Sequence, residues 1–427
     1  MLSKYFPPSG GTSSLFPASV ASIQTSLFRW SCVFFFQFVL LFSSYGQNDE
    51  VKPSWQLPAS GSVVFIGNSL IEEAGKYGIL EWLFLNTWPE QNPRFRNLGW
   101  SGDTADGKAR SYISRPPEPY DLLLQQIDTL RPDLVVIGYG NVEAYQEEAG
   151  LDDFEKSLER LIHDIDQMGA QSVLLSTIPQ FSPMDLDVDM SRRNEHLAHY
   201  SEKIREVAQR NQKPFVDLFS GFMESGRTYY HTEGIHLNGK GYLDVGKQIL
   251  KVLGQPLPVW HLEVDARQQN VVPARGMEIN DQNISRTHVS MEISTKAKPV
   301  LVNQENVYPQ KLKVQGLKKG IYGLTIDGQH ILAASSSDFA DGVEINQGPS
   351  FDLARTIQDI YAEIFDLYFW QYRPLNRTYL VGFRRYEQGQ NTYELGINSL
   401  FIDRLEKKIE QMDLQTPRSI QLTRINK

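Results

Sequence analysis

Cysteine is almost absent from this chain of 427 residues, because Cys32 is the only one. A single thiol excludes a disulfide within the chain and a metal site built from several cysteines. The sequence beyond Cys32 also has no cysteine nucleophile. The protein must therefore be stabilised by packed apolar cores, and the chain is long enough to form two or three domains.

Positive charge is also in short supply. Lysine and arginine number 42 against 51 aspartates and glutamates, which gives a formal net charge of -9. Surfaces that bind nucleic acids or anionic membranes are rich in basic residues. We therefore expect no nucleic-acid partner, while the composition leaves the oligomeric state open.

No apolar run in the chain reaches the ~20 residues that a membrane-spanning helix needs. The most apolar run, residues 32–42, follows Lys4 and Arg29 and is interrupted only by Gln37. Ser44, Tyr45 and Gly46 come next and offer small residues around a cleavable bond, and this order is typical of a secretory signal peptide. We expect residues 1–46 to be this signal peptide, with no membrane span after cleavage and an exported protein, periplasmic or extracellular. An uncleaved anchor is the alternative.

Strands and helices alternate across residues 47–256. Apolar runs at 63–66, 134–137, 172–176 and 214–217 predict buried strands, and stretches at 71–84, 121–130, 151–168, 192–210 and 237–253 predict helices. This alternation predicts an α/β fold with a parallel sheet covered on both faces. Ligands of such sheets bind beyond the carboxyl ends of the strands.

Ser69 follows the first predicted strand, in the sequence VVFIGNSL at 63–70. A serine at a strand-to-helix turn is lifted out of the sheet, close to backbone amides that can stabilise an oxyanion. It can also serve only as the N-cap of the following helix.

Glu233 and His236 are three residues apart, just before the last predicted helix of this region. On one turn, the carboxylate can orient the imidazole, which then accepts a proton from Ser69, as in a serine–histidine–acid triad. The pair can also cap the helix locally, or bind a metal together with His231.

With Ser69, Gly102, Asn141 and His236 in chain order, residues 60–253 resemble the SGNH/GDSL hydrolases, and in particular a subgroup of exported bacterial proteins with a C-terminal extension. The resemblance implies a three-layer α/β/α, flavodoxin-like domain with esterase, lipase, thioesterase or carbohydrate deacetylase activity. It implies Ser69 as nucleophile and His236 as base, oriented by Glu233. The oxyanion hole would comprise the amides of Ser69 and Gly102 and the side chain of Asn141, and no metal or organic cofactor would be needed.

The sequence departs from the family pattern at three positions. Asn68 and Glu233 each replace the usual aspartate. The third sequence block of the family, which contains its oxyanion-hole asparagine, corresponds to residues 138–143 here. In this block Val142 holds the usual asparagine position and Asn141 lies one residue early. Either the loop directs Asn141 into the oxyanion hole or that donor is missing, which typically costs ~10²–10³ in rate.

The remaining chain divides into a β-rich region at 257–348 and a helical hairpin at 349–427 that packs on the hydrolase domain at 47–256. Asp327 and Gly328 predict a tight hairpin turn, and stretches at 350–370 and 397–412 predict the two helices. The segment 373–391 either shapes the mouth of the active site or serves as a structural brace. Candidate substrate-binding residues are Trp100, Tyr139, Tyr145, Arg373 and Asn376; packing is the alternative for the three aromatic rings.

The sequence therefore predicts a secreted serine esterase that acts on a small-molecule or polysaccharide ester. Acetyl groups on polysaccharides are the favoured substrate. The alternatives are a lipase or thioesterase of the same family, and a non-catalytic carbohydrate-binding protein on the same scaffold.

Overall fold

The computed structural model describes residues 55–110, 118–272, 277–303, 305–308, 310–373 and 392–425. Its α-helices, in chain order α1 to α10, are Ser69–Ala74, Ile79–Thr87, Pro119–Leu130, Leu151–Gln167, Ser191–Arg210, Leu218–Ser225, Gly239–Val252, Ser336–Asp341, Pro349–Tyr372 and Thr392–Glu410. Short 3-10 helices lie at Pro89–Gln91, Lys108–Arg110, Glu143–Gly150 and Gly226–Tyr229.

The strands, in chain order β1 to β16, are Ser62–Gly67, Arg94–Asn97, Leu134–Gly138, Gln171–Leu175, Phe215–Val216, Trp260–Asp265, Asn270–Val272, Met277–Ile284, His288–Thr295, Leu301–Val302, Glu305–Asn306, Gln310–Gln315, Ile321–Ile326, Gln329–Ser335, Val343–Ile345 and Arg418–Arg424.

The first five strands form a parallel sheet in the order β2-β1-β3-β4-β5. This is the flavodoxin-like order, in which ligands bind where the chain turns to opposite sides of the sheet, here between β1 and β3. The predicted fold class is confirmed. The topology places the residues that follow β1 and β3 at this crevice.

Helices cover both faces of the sheet. Val63 and Phe65 of β1 point into a core formed with α1, α2 and α7. Val64 and Ile66 point into a second core formed with α3, α4 and α5. Side chains alternate between the two faces of a strand, so an uninterrupted apolar run such as residues 63–66 is needed when both faces are buried.

The single helix predicted at 71–84 is two helices, α1 and α2, with a break between them. Gly78 precedes α2 with φ +59°, a conformation that other residues rarely adopt. A Cβ atom at this position would lie 2.3 Å from the carbonyl oxygen of Gln358 in α9. The break therefore follows from the close approach of a helix that is distant in sequence.

The β-rich region contains two sheets that share one apolar core, β15-β12-β6-β7 and β14-β13-β16-β9-β8. β13 and β14 form the predicted hairpin, with positive φ at both Asp327 and Gly328, as a type I′ turn requires. β16 pairs with β13 on one side and β9 on the other. The segment 349–427 was expected to be a helical hairpin throughout, but its end returns to this sheet as a strand.

Helices α9 and α10 pack on the parallel-sheet domain. Ile357, Ile360 and Ile364 of α9 and Ile402 of α10 belong to the core on one face of the parallel sheet. Gln358 of α9 also exchanges hydrogen bonds with the backbone of Leu301 in β10. The helix pair therefore contacts both the parallel-sheet domain and the β-rich region.

None of the helices in the described ranges combines the length and the apolar character needed to cross a bilayer.

Glu81 of α2 is a buried carboxylate in the core between α2 and α9. Its side chain is 5% exposed, and Oε2 has no hydrogen-bond partner among the described residues. It lines a cavity of about 10 Å³ together with Phe95 and Tyr361. Burial raises the pKa of Glu81 to about 8.

Because the folded-state pKa of Glu81 lies above that of an exposed glutamate, Glu81 costs folding free energy once it ionises. Its effect is absent at low pH, grows as the pH rises above the pKa of an exposed glutamate, and is complete once the pH exceeds the folded-state pKa of about 8. We expect Glu81→Gln to reduce the loss of unfolding free energy between pH 5 and pH 8.5 by on the order of 4 kcal/mol. Denaturant unfolding at several pH values measures this. Glu90→Gln, at an exposed position nearby, should keep the wild-type dependence of unfolding free energy on pH. If Glu81→Gln also kept the wild-type dependence, Glu81 would not have the raised pKa.

Candidate active site

Ser69 is the first residue of α1, two residues after the end of β1. Asn68 is the N-cap, and its Oδ1 accepts a hydrogen bond of 3.0 Å from the backbone N–H of Leu70. The alternative that Ser69 caps the helix is therefore wrong, because Asn68 performs this function. Among the described residues, the Ser69 hydroxyl has no hydrogen-bond partner, so it is available for chemistry.

Glu233 holds His236 in a defined orientation. Its Oε1 accepts hydrogen bonds from the backbone N–H of His236, at 3.1 Å, and from Nδ1 of the imidazole, at 3.0 Å. Because a carboxylate can only accept, Nδ1 carries a proton, and in the neutral imidazole Nε2 therefore presents a lone pair. Burial tends to raise the pKa of Glu233, but the backbone N–H groups and the imidazole lower it overall. Glu233 is therefore ionised at neutral pH.

The loop that carries this pair is fixed to its surroundings by backbone hydrogen bonds. The N–H of His231 donates to the carbonyl of His236 at 2.9 Å, and the N–H of Phe181 donates to Gly234 at 2.9 Å. Gly234 has φ +77°, and a Cβ atom there would lie 2.3 Å from the carbonyl oxygen of Phe181. The position of His236 is thus set by main-chain contacts as well as by Glu233.

Ser69 and His236 line one cleft of about 90 Å³ at the crevice between β1 and β3. The cleft is otherwise lined by Leu70, Asn141, Val142, Tyr145, Ile178, Gln180, Ile235, Leu237 and Tyr242. Its walls therefore combine apolar side chains with a few polar groups, as is typical of sites that bind small molecules.

Asn141 also lines this cleft, although it lies one residue earlier than the family pattern requires. Its Oδ1 accepts a hydrogen bond of 3.3 Å from the backbone N–H of Ile178. Since that partner is a donor, the atom facing it must be the oxygen, which leaves Nδ2 for other acceptors. The structure therefore brings an amide donor from the third block to the cleft of Ser69.

Gly102 lies in the loop that follows β2, with φ +82° and an exposed backbone. The loop is attached to α1, because the N–H of Ser101 donates to Oε2 of Glu72 at 2.7 Å. The N–H of Trp100 donates to the carbonyl of Gly67 at 2.9 Å. Gly102 is not one of the residues that line the cleft, but its loop is held beside the end of β1.

Glu143 connects the loops of Gly102 and Asn141. Its two carboxylate oxygens each accept a hydrogen bond of 2.9 Å, one from the backbone N–H of Ala105 and one from that of Gly140. Burial raises the pKa of Glu143 to about 7, against the lowering effect of these N–H groups. One side chain therefore sets the distance between the two loops.

Trp100 and Tyr139 were expected to contact substrate, and the structure places both in packed surroundings. Trp100 is 8% exposed and lies beneath the guanidinium of Arg110, whose carbon is 5.3 Å from the ring centroid. Tyr139 is 1% exposed and donates a hydrogen bond of 3.0 Å to Asp103. Asp103 and Arg110 form a fully buried ion pair at 3.0 Å. The two rings therefore support the Gly102 loop from inside the protein and do not form a wall of the cleft.

The other three substrate-binding candidates have different outcomes. Tyr145 lines the cleft and is 67% exposed. Arg373 forms an ion pair with Glu72 and lies 4.5 Å from the Trp100 ring centroid, so its contacts are those of a brace. Asn376 lies outside the described residues.

His231 does not join Glu233 and His236 in a metal site. Its Nε2 lies 2.8 Å from the hydroxyl of Tyr77. Across the described ranges, no group of three or more histidine, cysteine, aspartate or glutamate side chains is arranged to hold a metal ion.

Glu143 and Arg193 have no predicted role in the sequence, and both hold Asn141 or its loop in the structure. Arg193 Nη2 donates to the carbonyl of Asn141 at 2.6 Å. Glu143 had a signal, because it is an acidic residue near the start of the segment that follows the apolar strand β3. Arg193 had none, because it lies 52 residues from its partner.

Residues 65–243 match the family described as GDSL-like Lipase/Acylhydrolase family, which confirms the resemblance seen in the sequence. Among curated proteins, the isoamyl acetate-hydrolyzing esterase of Saccharomyces cerevisiae is 34% identical over 73 residues. That match covers 16% of this chain and 31% of the yeast protein. The chain thus spans about a third of the length of this curated relative.

Among solved structures, a gut microbial diltiazem-metabolizing enzyme is similar with a TM-score of 0.64 and 18% identity, over 87% of this chain and 99% of that one. This similarity extends beyond the parallel-sheet domain and shows the fold alone. An acetylxylan esterase from Geobacillus stearothermophilus has a TM-score of 0.38 and 20% identity, over 47% of this chain and 97% of that one.

We expect Glu143→Gln to loosen one of the two loops, because the amide nitrogen would face a backbone N–H and could not accept from it. Loss of one such bond should lower the protection of Ala105 or Gly140 against amide hydrogen exchange by about tenfold. Exchange measured by mass spectrometry on peptides covering 100–107 and 138–144 tests this. Glu148→Gln, at an exposed position on the same segment, should leave both peptides unchanged. Wild-type protection of both peptides in Glu143→Gln would show that Glu143 does not hold the loops.

Proposed function

Because residues 65–243 belong to the GDSL-like lipase/acylhydrolase family, we propose that this protein hydrolyses carboxylic esters through an acyl-enzyme formed on Ser69. The observation that carries the proposal is that Ser69 and His236 line the same cleft. The Ser69 hydroxyl has no hydrogen-bond partner among the described residues, and Nδ1 of His236 is hydrogen-bonded to Glu233. This arrangement supports the roles of nucleophile for Ser69, base for His236 and orienting acid for Glu233.

The first half of the reaction forms the acyl-enzyme. Ser69 Oγ attacks the ester carbonyl carbon while Nε2 of His236 takes the hydroxyl proton, and the carbonyl oxygen becomes an oxyanion. Glu233 stabilises the imidazolium that forms. When the tetrahedral intermediate collapses, the bond to the alcohol oxygen breaks and His236 returns the proton to the leaving alcohol.

The oxyanion is stabilised by hydrogen-bond donors that have no other acceptor in the described part of the protein. These are the backbone N–H of Ser69 and the Nδ2 amide of Asn141, which both line the cleft, and the backbone N–H of Gly102, whose loop is held beside the end of β1 outside the lining of the cleft. In the second half of the reaction, His236 deprotonates a water molecule that attacks the acyl carbon, and the acid leaves as Ser69 recovers its proton.

We further propose that the protein is exported and removes acetyl groups from carbohydrates. The small volume of the cleft, about 90 Å³, supports a short acyl group. The name of the yeast relative, an isoamyl acetate-hydrolyzing esterase, supports an acetyl ester. Tyr145 at the cleft is 67% exposed and offers a ring face on which a sugar can stack. The apolar segment at 32–42 supports export.

We expect residues 47–427 to hydrolyse p-nitrophenyl acetate and to release acetate from acetylated xylan, and Ser69→Ala to abolish both activities. Removing the nucleophile leaves only a residual rate from binding and oxyanion stabilisation. Ser220→Ala, an exposed serine in α6, should retain wild-type rates and serves as the control. Labelling of the wild type by a serine-reactive phosphonate, and its absence in Ser69→Ala, checks the same residue. A folded protein that hydrolyses no ester and takes up no label would favour a binding protein on this scaffold.

We expect Glu233→Gln to lower kcat by about 10²–10⁴-fold, because a neutral amide no longer stabilises the imidazolium or fixes its tautomer. Glu233→Asp keeps the charge with a shorter reach, so its loss should be smaller than that of Glu233→Gln. Steady-state kinetics on p-nitrophenyl acetate compare the two variants. A Glu233→Gln enzyme within threefold of wild type would remove Glu233 from the catalytic group.

A further inference from the structure

Arg193 of α5 lies behind the cleft and contacts three of the residues that line it. Nη2 donates to the carbonyl oxygen of Asn141 at 2.6 Å, and Nε donates to Oε1 of Gln180 at 3.1 Å. The guanidinium carbon lies 3.7 Å from the ring centroid of Tyr145. These three residues belong to two different loops, so one side chain connects both sides of the cleft.

The contacts of Arg193 are to neutral groups. No carboxylate of the described residues lies within ion-pair distance of it, and Nη1 is buried without a hydrogen-bond partner there. Burial lowers the pKa of Arg193, but a guanidinium remains charged at neutral pH. Because no anion competes for this cation, its hydrogen bonds to Asn141 and Gln180 are charge-assisted bonds to carbonyl oxygens, which are stronger than neutral ones.

Asn141 is held by one contact to its backbone and one to its side chain. Asn141 lies one residue before the position at which the family pattern has its asparagine, and Val142 occupies that position. The side-chain oxygen of Asn141 is held by the N–H of Ile178 at 3.3 Å, slightly longer than the usual N–H···O distance. The shorter contact is the bond of 2.6 Å from Arg193 to the carbonyl of Asn141.

We propose that Arg193 is a positioning residue that holds Asn141 in place as an oxyanion donor. Arg193 does not line the cleft, so it acts through Asn141 and not on the substrate. This inference rests on the proposed ester hydrolysis. Because a donor to the oxyanion acts more strongly in the transition state than in the ground state, displacement of Asn141 lowers kcat and leaves KM nearly unchanged.

The test compares Arg193→Met and Arg193→Lys with Arg192→Met. Arg192 is the neighbouring residue, with a side chain that is 76% exposed and paired with Glu147, so its loss should leave kinetics unchanged. We expect Arg193→Met to lower kcat on p-nitrophenyl acetate by about 10–10²-fold with KM within threefold. Lysine keeps the charge but cannot make both bonds and the ring contact, so Arg193→Lys should recover only part of the rate. Thermal unfolding of each variant verifies that it is folded.

A double-mutant cycle separates positioning from a general structural effect. If Arg193 acts through Asn141, adding Arg193→Met to Asn141→Ala should lower kcat by less than about threefold. If Arg193→Met lowered kcat by the same factor in the wild type and in Asn141→Ala, the proposal would be overturned. Wild-type activity of Asn141→Ala or of Arg193→Met would overturn it as well.

A crystal structure of Arg193→Met provides a readout that does not depend on activity. Displacement of the Asn141 side chain by more than about 1 Å would support the proposal, because shifts of this size are sufficient to impair a catalytic group. An unmoved Asn141 would overturn it. If the wild type hydrolyses no ester while Asn141 moves in the variant, the proposed function fails and the positioning contact stands.

Discussion

Strands β1 and β3 run side by side and parallel, and both end at a glycine. Gly67 and Gly138 are partners in the register, and a Cβ atom at Gly67 would lie 2.4 Å from the carbonyl oxygen of Gly138. Larger residues would separate the strands at this point. After β1 the chain continues to β2 on one side of this strand pair, and after β3 it continues to β4 on the other side. This divergence opens the crevice that contains Ser69 and Asn141.

The loops around this crevice are held by charged side chains that accept from or donate to the main chain. Glu72 accepts from Ser101, Glu143 accepts from Ala105 and Gly140, and Arg193 donates to Asn141. Loops have few backbone partners of their own, so buried N–H and carbonyl groups must be satisfied in this way. The same bonds fix the donors of the candidate active site before a substrate arrives, which is the preorganisation that electrostatic catalysis needs.

The sequence was sufficient to predict the fold class, because strands buried on both faces leave uninterrupted apolar runs such as 63–66 and 134–137. It also indicated Ser69 and His236, which line one cleft, and Glu233, which is hydrogen-bonded to His236. The surroundings of Trp100 and Tyr139 were not predictable, since an aromatic ring can pack in a core or line a site depending on residues far along the chain. The contact of Arg193 with Asn141 depends on such long-range packing as well. β16 has a local strand pattern in the sequence, because Ile420 and Leu422 alternate with polar residues. Both side chains are buried in the structure.

The position of β16 has a consequence for the order in which the chain folds. β16 is an inner strand of its sheet, between β13 and β9, and its partner residues in β9 precede it by more than a hundred positions in the sequence. Contacts of such long sequence separation form slowly, because a large loop must close before any pairing energy is gained. In the described part of the chain, the backbone pairing that joins β8 and β9 to β13 and β14 runs through β16. The β-rich region begins with β6, yet this sheet is complete only when β16, which follows the helix pair in sequence, has been made.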